Sequence, residues 1–496
     1  MTIEKYIEEI DKDGLENVWG SIIKNGLSEV QNAGELYEIG LAHINKKEKK
    51  ESGKYFTPFD VADVMSDWFD GLKGENVCDV CCGTGNLILS YLNKIGYTAA
   101  RDLIAKGHLY LYDKDALALK ICVALICKKY GNDLGPQIHS IVCDFLDKSI
   151  SLPESCKVIS NPPYFKISKI DKNWQETEIL RKSKEFYAAI MEKILDESES
   201  SVVITPYSFL GSEKFLPLRK KMNLYNGFIV AFDNVPGNIF AGKKHGVFNS
   251  NSTNSVRAAI TVTENRSNVS GYRCSNLIRF KNEERKKLLK TNILNRFVGT
   301  TYQIIDSTHA KYCKCGPIFE NIYKKWTKNS IELKTLLSVD GEFNLYVPNT
   351  CRYYTVASVK ELNRTGKIRL AFSDSDTSKI VYCFLNSSFC YWYWRLFDGG
   401  ITYTASLLKS LPIIDPALLQ PEDKTRLLKI TDEMQRSEGK YLVYKKNAGS
   451  MQENIKFPDK YRTEINDIFL KAIGIDKNSS IFNEIHSNSV FSEQDK

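Results

Sequence analysis

No apolar run in this chain is long enough to span a bilayer, so a membrane-spanning helix is not expected. Nothing in Met1–Lys24 resembles a secretory leader; acidic and apolar residues alternate there. A cytoplasmic protein is the expectation. Histidine is scarce, with six in 496 residues, and the six form no cluster. Cys78 and Cys81 have CxxC spacing, but they fall in an expected strand and the turn after it. Cys313 and Cys315 supply no matching second pair. A zinc site is therefore not expected, and no metal is assigned. The thirteen cysteines are scattered, which suits a reducing compartment. Charge is nearly balanced: 68 basic against 60 acidic residues leave +8. That excess permits a polyanionic partner without requiring one.

At this length two or three domains are expected. Residues 1–50 read as a polar helical segment ending in the basic run Lys46–Lys50. From Val77 onward short apolar runs alternate with amphipathic stretches. The runs are Val77–Val80, His108–Leu111, Ile138–Val142, Val158–Ile159, Ser201–Ile204 and Phe228–Phe232, with Ser255–Val262 as a further strand. Ala116–Lys129, Lys184–Leu195 and Lys214–Leu224 read as helices between them. This alternation predicts an α/β fold with a doubly wound, mainly parallel sheet and helices on both faces. The Gly/Asn/Ser-rich stretch Pro236–Ser255 reads as a loop over the site. Past Ser270 the alternation is lost. Arg279–Lys290 reads as a linker helix, the chain to Ala371 as irregular and strand-rich, Pro421–Glu438 and Lys460–Ala472 as helices, and His486–Lys496 as a disordered tail.

The chemistry is carried at the ends of the expected strands. Lys157-Val158-Ile159-Ser160 stops at Asn161-Pro162-Pro163-Tyr164. The two prolines fix φ and remove two N–H donors, which leaves carbonyls, one side-chain amide and an aromatic face. Such a loop is shaped to hold an amino group on a planar ring. The first strand ends Val77-Cys78-Asp79-Val80-Cys81-Cys82-Gly83-Thr84-Gly85-Asn86. Gly83 and Gly85 let backbone approach a ligand, but the spacing is not that of the dinucleotide GxGxxG turn. Asp79 suits the cationic end of an amino-acid ligand. Asp113, closing Leu109-Tyr110-Leu111-Tyr112-Asp113, suits a ribose diol. Asp144 and Phe145, at the third strand end, offer an acceptor and a ring for an adenine. Upstream, Gly53-Lys54-Tyr55-Phe56-Thr57-Pro58 reads as the cap of a helix over Phe59–Phe69.

Taken in order, these residues resemble the S-adenosylmethionine-dependent DNA amino-methyltransferases of restriction–modification systems, most closely the gamma-class adenine-N6 enzymes of the TaqI-like group. The resemblance is strong over residues 45–265 and weaker beyond. It implies a Rossmann-like catalytic domain over 51–265 after the helical segment 1–50. A mixed α+β target-recognition domain would cover 266–425, and a helical segment with a tail 426–496. It implies that Thr57, Asp79, Gly83 and Gly85 surround the methionine end of the cofactor, that Asp113 binds its ribose, and that Asp144 and Phe145 hold its adenine. Asn161, Pro162 and Tyr164 would hold the target base, with Tyr187 and Phe240 flanking its pocket. The stretch Lys243–Asn254 after Phe240 is longer than the pattern leads one to expect. Leu385–Phe389, Tyr391–Phe397 and Leu408–Ile413 resemble the closing segment of target-recognition domains, although core packing is the better account of that aromatic stripe.

The activity so implied is methyl transfer from S-adenosylmethionine to adenine N6 in double-stranded DNA, with the base flipped out of the helix. Asn-Pro-Pro-Tyr also occurs in rRNA and protein-glutamine methyltransferases, and cytosine-N4 transfer uses a related loop. A catalytically silent DNA-recognition subunit is a further alternative, against which Asp79, Gly83, Gly85 and Asn161 all stand. A fused nuclease is not expected, because no convincing PD-(D/E)xK pattern stands out. A monomer is expected, with a cognate endonuclease as a possible separate partner.

Overall fold

The computed structural model describes residues 2–25, 33–44, 57–240, 256–265, 270–305, 310–351, 353–398, 400, 402–447, 450–476 and 479–491. The run Lys46–Lys50, the segment Gly53–Phe56 and the stretch Lys243–Asn254 lie outside them, as do the last five residues of the tail. The chain divides into two compact units, Met1–Tyr312 and Cys313–Lys496. Among the described residues no helix is long and apolar enough to cross a membrane.

The first unit is built on one eight-stranded sheet, the Rossmann-like sheet that the alternation predicts. Its strands are β1 (Asn76–Val80), β2 (Leu109–Asp113), β3 (His139–Val142), β4 (Cys156–Ser160), β5 (Ser200–Pro206), β6 (Asn226–Phe232), β7 (Ala258–Asn265) and β8 (Gly271–Ile278). They lie in the order β3-β2-β1-β4-β5-β7-β6-β8. From β3 to β5 every pairing is parallel. β7 is antiparallel to both neighbours. β4 is buried at all five positions, as a strand covered on both faces must be. The strand order reverses between β1 and β4, and the crevice outside the carboxyl ends at such a point is where open α/β sheets bind ligands.

The three helices Ile3–Asp13, Leu15–Asn25 and Ala33–Ile44 make up the amino-terminal helical segment. Tyr6, Trp19 and Tyr37 pack edge to face, and their cluster takes in Ala118 and Ile121 from the helix Ala116–Tyr130. Trp19 Nε1 donates to Tyr6 Oη at 2.8 Å, which satisfies both buried groups. The regular part of the unit also runs past residue 265: Gly271–Ile278 extends the sheet as β8, parallel to β6. Its alternation is hard to read because Gly271 and the polar Arg273, Ser275 and Asn276 interrupt the apolar run. Arg279–Lys290 is not a long helix. It holds a short 3₁₀ turn, Asn282–Glu284, and one helical turn, Arg285–Leu288.

In the second unit the aromatic stretch forms two helices, Ser375–Leu385 and Ser388–Phe397, separated at Asn386-Ser387. All ten residues of the latter are buried. Trp326, on the unexpected helix Pro317–Lys328, stacks on Trp392 with ring centroids 5.3 Å apart and meets Phe389 edge-on at 5.1 Å. These aromatics are core. Helices Pro421–Ser437 and Asp459–Ala472 match the periodicity, but an antiparallel hairpin, Leu442–Asn447 with Ser450–Ile455, stands between them. The start of the expected tail is ordered: a ring nitrogen of His486 lies 2.9 Å from Ser388 Oγ, and the ring stacks on Tyr391.

Trp19→Ala removes the centre of the amino-terminal cluster and should destabilise the first unit by about 3–5 kcal/mol. Urea unfolding followed by a probe in the sheet checks this. An unshifted transition would mean that the amino-terminal helices are thermodynamically separate.

Candidate functional site

Side by side, the ends of β1 and β4 set the site. Val80 and Ser160 are register partners, and Ser160 Oγ donates to the Val80 carbonyl at 2.6 Å. From Val80 the chain enters the glycine turn, and from Ser160 it enters Asn161-Pro162-Pro163-Tyr164. Both border a cavity of about 610 Å³. Thr57, Gly83, Asp113, Asp144, Phe145 and Asn161 line it, as the sequence reading expects. Tyr37, Asn86, Asp115, Phe165, Trp174 and Phe186 also line it and were not anticipated.

The turn is shaped by backbone constraint. Cys81, Gly83 and Gly85 all have positive φ, 60°, 54° and 89°. A Cβ on Gly85 would lie 2.4 Å from Cys122 Sγ, so this glycine serves close helix packing as well as its own conformation. Asp113 steadies the turn from the next strand: its Oδ2 accepts from Gly83 N at 2.7 Å and its Oδ1 from Asp115 N at 2.8 Å. Asp115 caps the helix Ala116–Tyr130 by accepting from Ala118 N at 3.1 Å. Tyr37 Oη, from the third amino-terminal helix, reaches the Asp115 carboxylate at 2.9 Å. Asp144 pairs with Lys114 at 3.2 Å, and Phe145 lies edge-on to Tyr112.

Asp79 lies beneath the turn, fully buried. Its Oδ2 accepts from Ile88 N at 3.2 Å, while Oδ1 has no hydrogen-bond partner among the described residues. Burial pushes its carboxyl well above the usual carboxylate range, against the Ile88 N–H and with some help from the Asp113 charge. A buried acid held this way calls for either a proton or a cation.

Thr57 does not cap its helix: the N-cap of Phe59–Asp70 is Pro58, without a side-chain cap bond. Instead Thr57 Oγ1 accepts from Asn161 Nδ2 at 2.9 Å, and the Thr57 carbonyl accepts from Asn86 Nδ2 at 2.9 Å. The other end of the Asn161 amide meets Tyr164, whose hydroxyl lies 2.6 Å from Oδ1 and 3.0 Å from the Ile204 carbonyl. The amide is thus held at both ends with its plane fixed. Tyr187 and Phe240 are 1 % and 3 % exposed. They meet the Tyr164 ring edge-on at 6.2 and 6.0 Å, and Tyr187 Oη bonds Ser208 Oγ at 2.9 Å. Both back Tyr164 rather than standing open beside it.

Of the unanticipated residues, two had a local signal. Asp115 directly precedes an apolar-periodic segment, as an N-cap does, and Ser160 closes a buried strand with a hydroxyl. Tyr37 and Trp174 had none, because only the fold brings them to the cavity.

The family model for N-6 DNA Methylase matches residues 29–333, more than half of the chain. The chain is similar to the Type II methyltransferase M.VspI of Vibrio sp. (strain 343), at 28% identity over 172 residues. That alignment takes in 34% of this chain and 38% of the relative. It is also similar to the Type I restriction enzyme MjaIX methylase subunit of Methanocaldococcus jannaschii, at 29% over 134 residues, 26% of this chain and 22% of that one. The chain thus spans well under half the length of either curated relative. Among solved structures, a DrdV–DNA complex aligns with a TM-score of 0.44 and 16% identity, over 70% of this chain and 40% of that one. The EcoKI M protein aligns at 0.33 and 13%, over 51% and 54%.

The Asp79 carboxyl gives a pH test. Its pKa is raised in the folded state, so its contribution to stability is complete below the unfolded carboxylate pKa of about 4. That contribution is lost as pH rises through the folded value. Asp79→Asn should therefore gain stability relative to the native chain as pH rises above the unfolded carboxylate pKa of about 4, without ligand, by urea unfolding. A mutant-to-native difference that stays flat with pH would refute the raised pKa.

Proposed function

The chain belongs to the N-6 DNA methylase family, and from that premise we propose that it transfers a methyl group from S-adenosylmethionine to adenine N6 in double-stranded DNA. The observation that carries the reading is the Asn161 amide, held at both ends beside the cavity. The cavity chemistry fits the cofactor. Asp79 lies beneath the turn and does not itself line the cavity, so it bears on the cofactor's amino-acid end through the turn that it supports. Asp113 and Asp144 bring carboxylates to the wall, and Phe145 brings an aromatic ring. When bound, the cofactor supplies an electrophilic methyl group.

The protein's own task is then to present the amino nitrogen. That nitrogen is a poor nucleophile because its lone pair is conjugated into the ring. Asn161 Oδ1 and the Pro162 carbonyl each accept one of its N–H bonds, which favours a tetrahedral nitrogen with a localised lone pair. The Tyr164 hydroxyl has one proton and two acceptors within reach. When the base donates to Asn161 Oδ1, that proton turns to the Ile204 carbonyl, and no acceptor is abandoned. Preorganised acceptors and alignment supply the rate. The base reaches this pocket only when flipped, and the Tyr164 face offsets its lost stacking. Thr57, Gly83 and Gly85 shape the cofactor side, and Tyr187 and Phe240 support Tyr164. One curated relative is named a type II methyltransferase and the other the methylase subunit of a type I restriction enzyme, and we assign this chain to a restriction–modification setting, with the second unit as its target-recognition part.

Nucleoside mass spectrometry after incubation of the native chain with S-adenosylmethionine and unmethylated DNA or RNA tests the reading. N6-methyladenine in DNA alone is expected. N4-methylcytosine would change the base, and product in RNA only would overturn the substrate. Asn161→Ala should lower transfer at least 10²- to 10³-fold, about the loss seen when one preorganised polar group is removed, while calorimetry finds the cofactor still bound. Tyr164→Ala should weaken DNA capture more than cofactor binding. Equal losses in the two titrations would remove its stacking role.

A further inference from the structure

Arg285 lies in the basic segment that the sequence suggests is a linker, yet its side chain turns inward and is 13 % exposed. Nη1 donates to the Asn238 carbonyl at 2.8 Å, and Nη2 donates to the Ile239 carbonyl at 2.7 Å. Nη2 also reaches Asp60 Oδ1 at 2.8 Å, and Nε reaches Asp60 Oδ2. One guanidinium therefore bonds two chain segments far apart in sequence.

Each segment carries one side of the amide site. Asp60 lies in the first turn of the helix Phe59–Asp70, three residues after Thr57, whose hydroxyl accepts from Asn161. Asn238 and Ile239 directly precede Phe240, which packs on Tyr164. Asn238 Oδ1 accepts from Phe240 N at 2.7 Å, so that short stretch is internally stiff. The contacts close a circuit: Arg285 to Asp60, along the chain to Thr57, across to Asn161, on to Tyr164 and Phe240, and back through Asn238. A planar fork with five donors can serve a carboxylate and two carbonyls at once, and an ammonium cannot.

We propose that Arg285 is a positioning residue for the target-base pocket. It sets the gap between the Thr57–Asn161 wall and Phe240, and so governs capture of the amino-bearing base rather than binding of the cofactor. The proposal rests on the methyltransferase reading above and extends it to a residue outside the sequence motifs.

The test compares Arg285→Ala, Arg285→Lys and Asp60→Asn in the full chain. Hydrogen exchange without DNA follows the Phe240 amide, calorimetry gives S-adenosylmethionine affinity, and steady-state and single-turnover transfer use unmethylated DNA. Arg285→Ala should lose protection at Phe240. Its kcat/KM for DNA should fall about 10- to 100-fold, the scale of a small misplacement of reacting groups, with cofactor affinity within about twofold of native. Arg285→Lys should recover only part of the loss, and Asp60→Asn should lose least, because both carbonyl bonds survive. Should Arg285→Ala fail to fold, the other two variants decide by the same readouts. Native-like kcat/KM in the folded variants, or cofactor affinity falling in parallel with DNA capture, overturns the proposal. A native chain that methylates no DNA would instead remove the methyltransferase reading, and the proposal with it.

Discussion

The hydrogen bond from Ser160 Oγ to the Val80 carbonyl joins the last residues of two neighbouring parallel strands. Everything at the site is placed relative to it. One residue further on, β1 becomes the glycine turn and β4 becomes the Asn-Pro-Pro-Tyr loop. Parallel pairing makes both leave the sheet at the same edge, and the reversal of strand order opens a crevice there. The polar groups that converge on that crevice come from far-separated parts of the sequence. Thr57 arrives from before β1, Asp113 and Asp144 from β2 and beyond β3, and Tyr37 from the amino-terminal helices.

Much of this was legible in the sequence because strand ends announce themselves. An apolar run that stops at Asp, Gly or Asn-Pro-Pro says where a buried strand meets solvent. The expected strands from β1 to β7 follow from that pattern with boundaries shifted by a few residues. The aromatic stripe Leu385–Phe389 and Tyr391–Phe397 was legible as an apolar mass, and its burial is what such a mass does. What stayed hidden has a common physical cause. The strand β8 is half polar, because Arg273 and Asn276 keep partly exposed positions. The hairpin Leu442–Asn447 with Ser450–Ile455 carries Lys445, Lys446, Gln452 and Glu453 and so shows no apolar alternation. The basic segment after β8 read as a linker helix, since charge alone does not say which way a side chain turns.

The roles of single residues were least legible where a side chain bonds across the fold. Thr57 reads locally as a helix cap, and its hydroxyl is used for Asn161 instead. Asp79 reads as an acid on a ligand-facing turn, and it lies one layer deeper, where burial rather than a partner controls its proton. Tyr187 and Phe240 are expected to flank the target-base pocket, and nothing local shows that both meet the Tyr164 ring edge-on. Each shift follows from three-dimensional neighbours that no local window contains.

The fit between Gly85 and Cys122 extends beyond folding. The sulfur occupies the space that a side chain on Gly85 would need, and Cys122 is wholly buried. An atom added to that sulfur on the side facing Gly85 would press on the turn. The ligand-facing loop of this protein is thus fitted against a buried thiol, and the size of the group at position 122 bears on the turn as directly as the absence of a side chain at position 85 does.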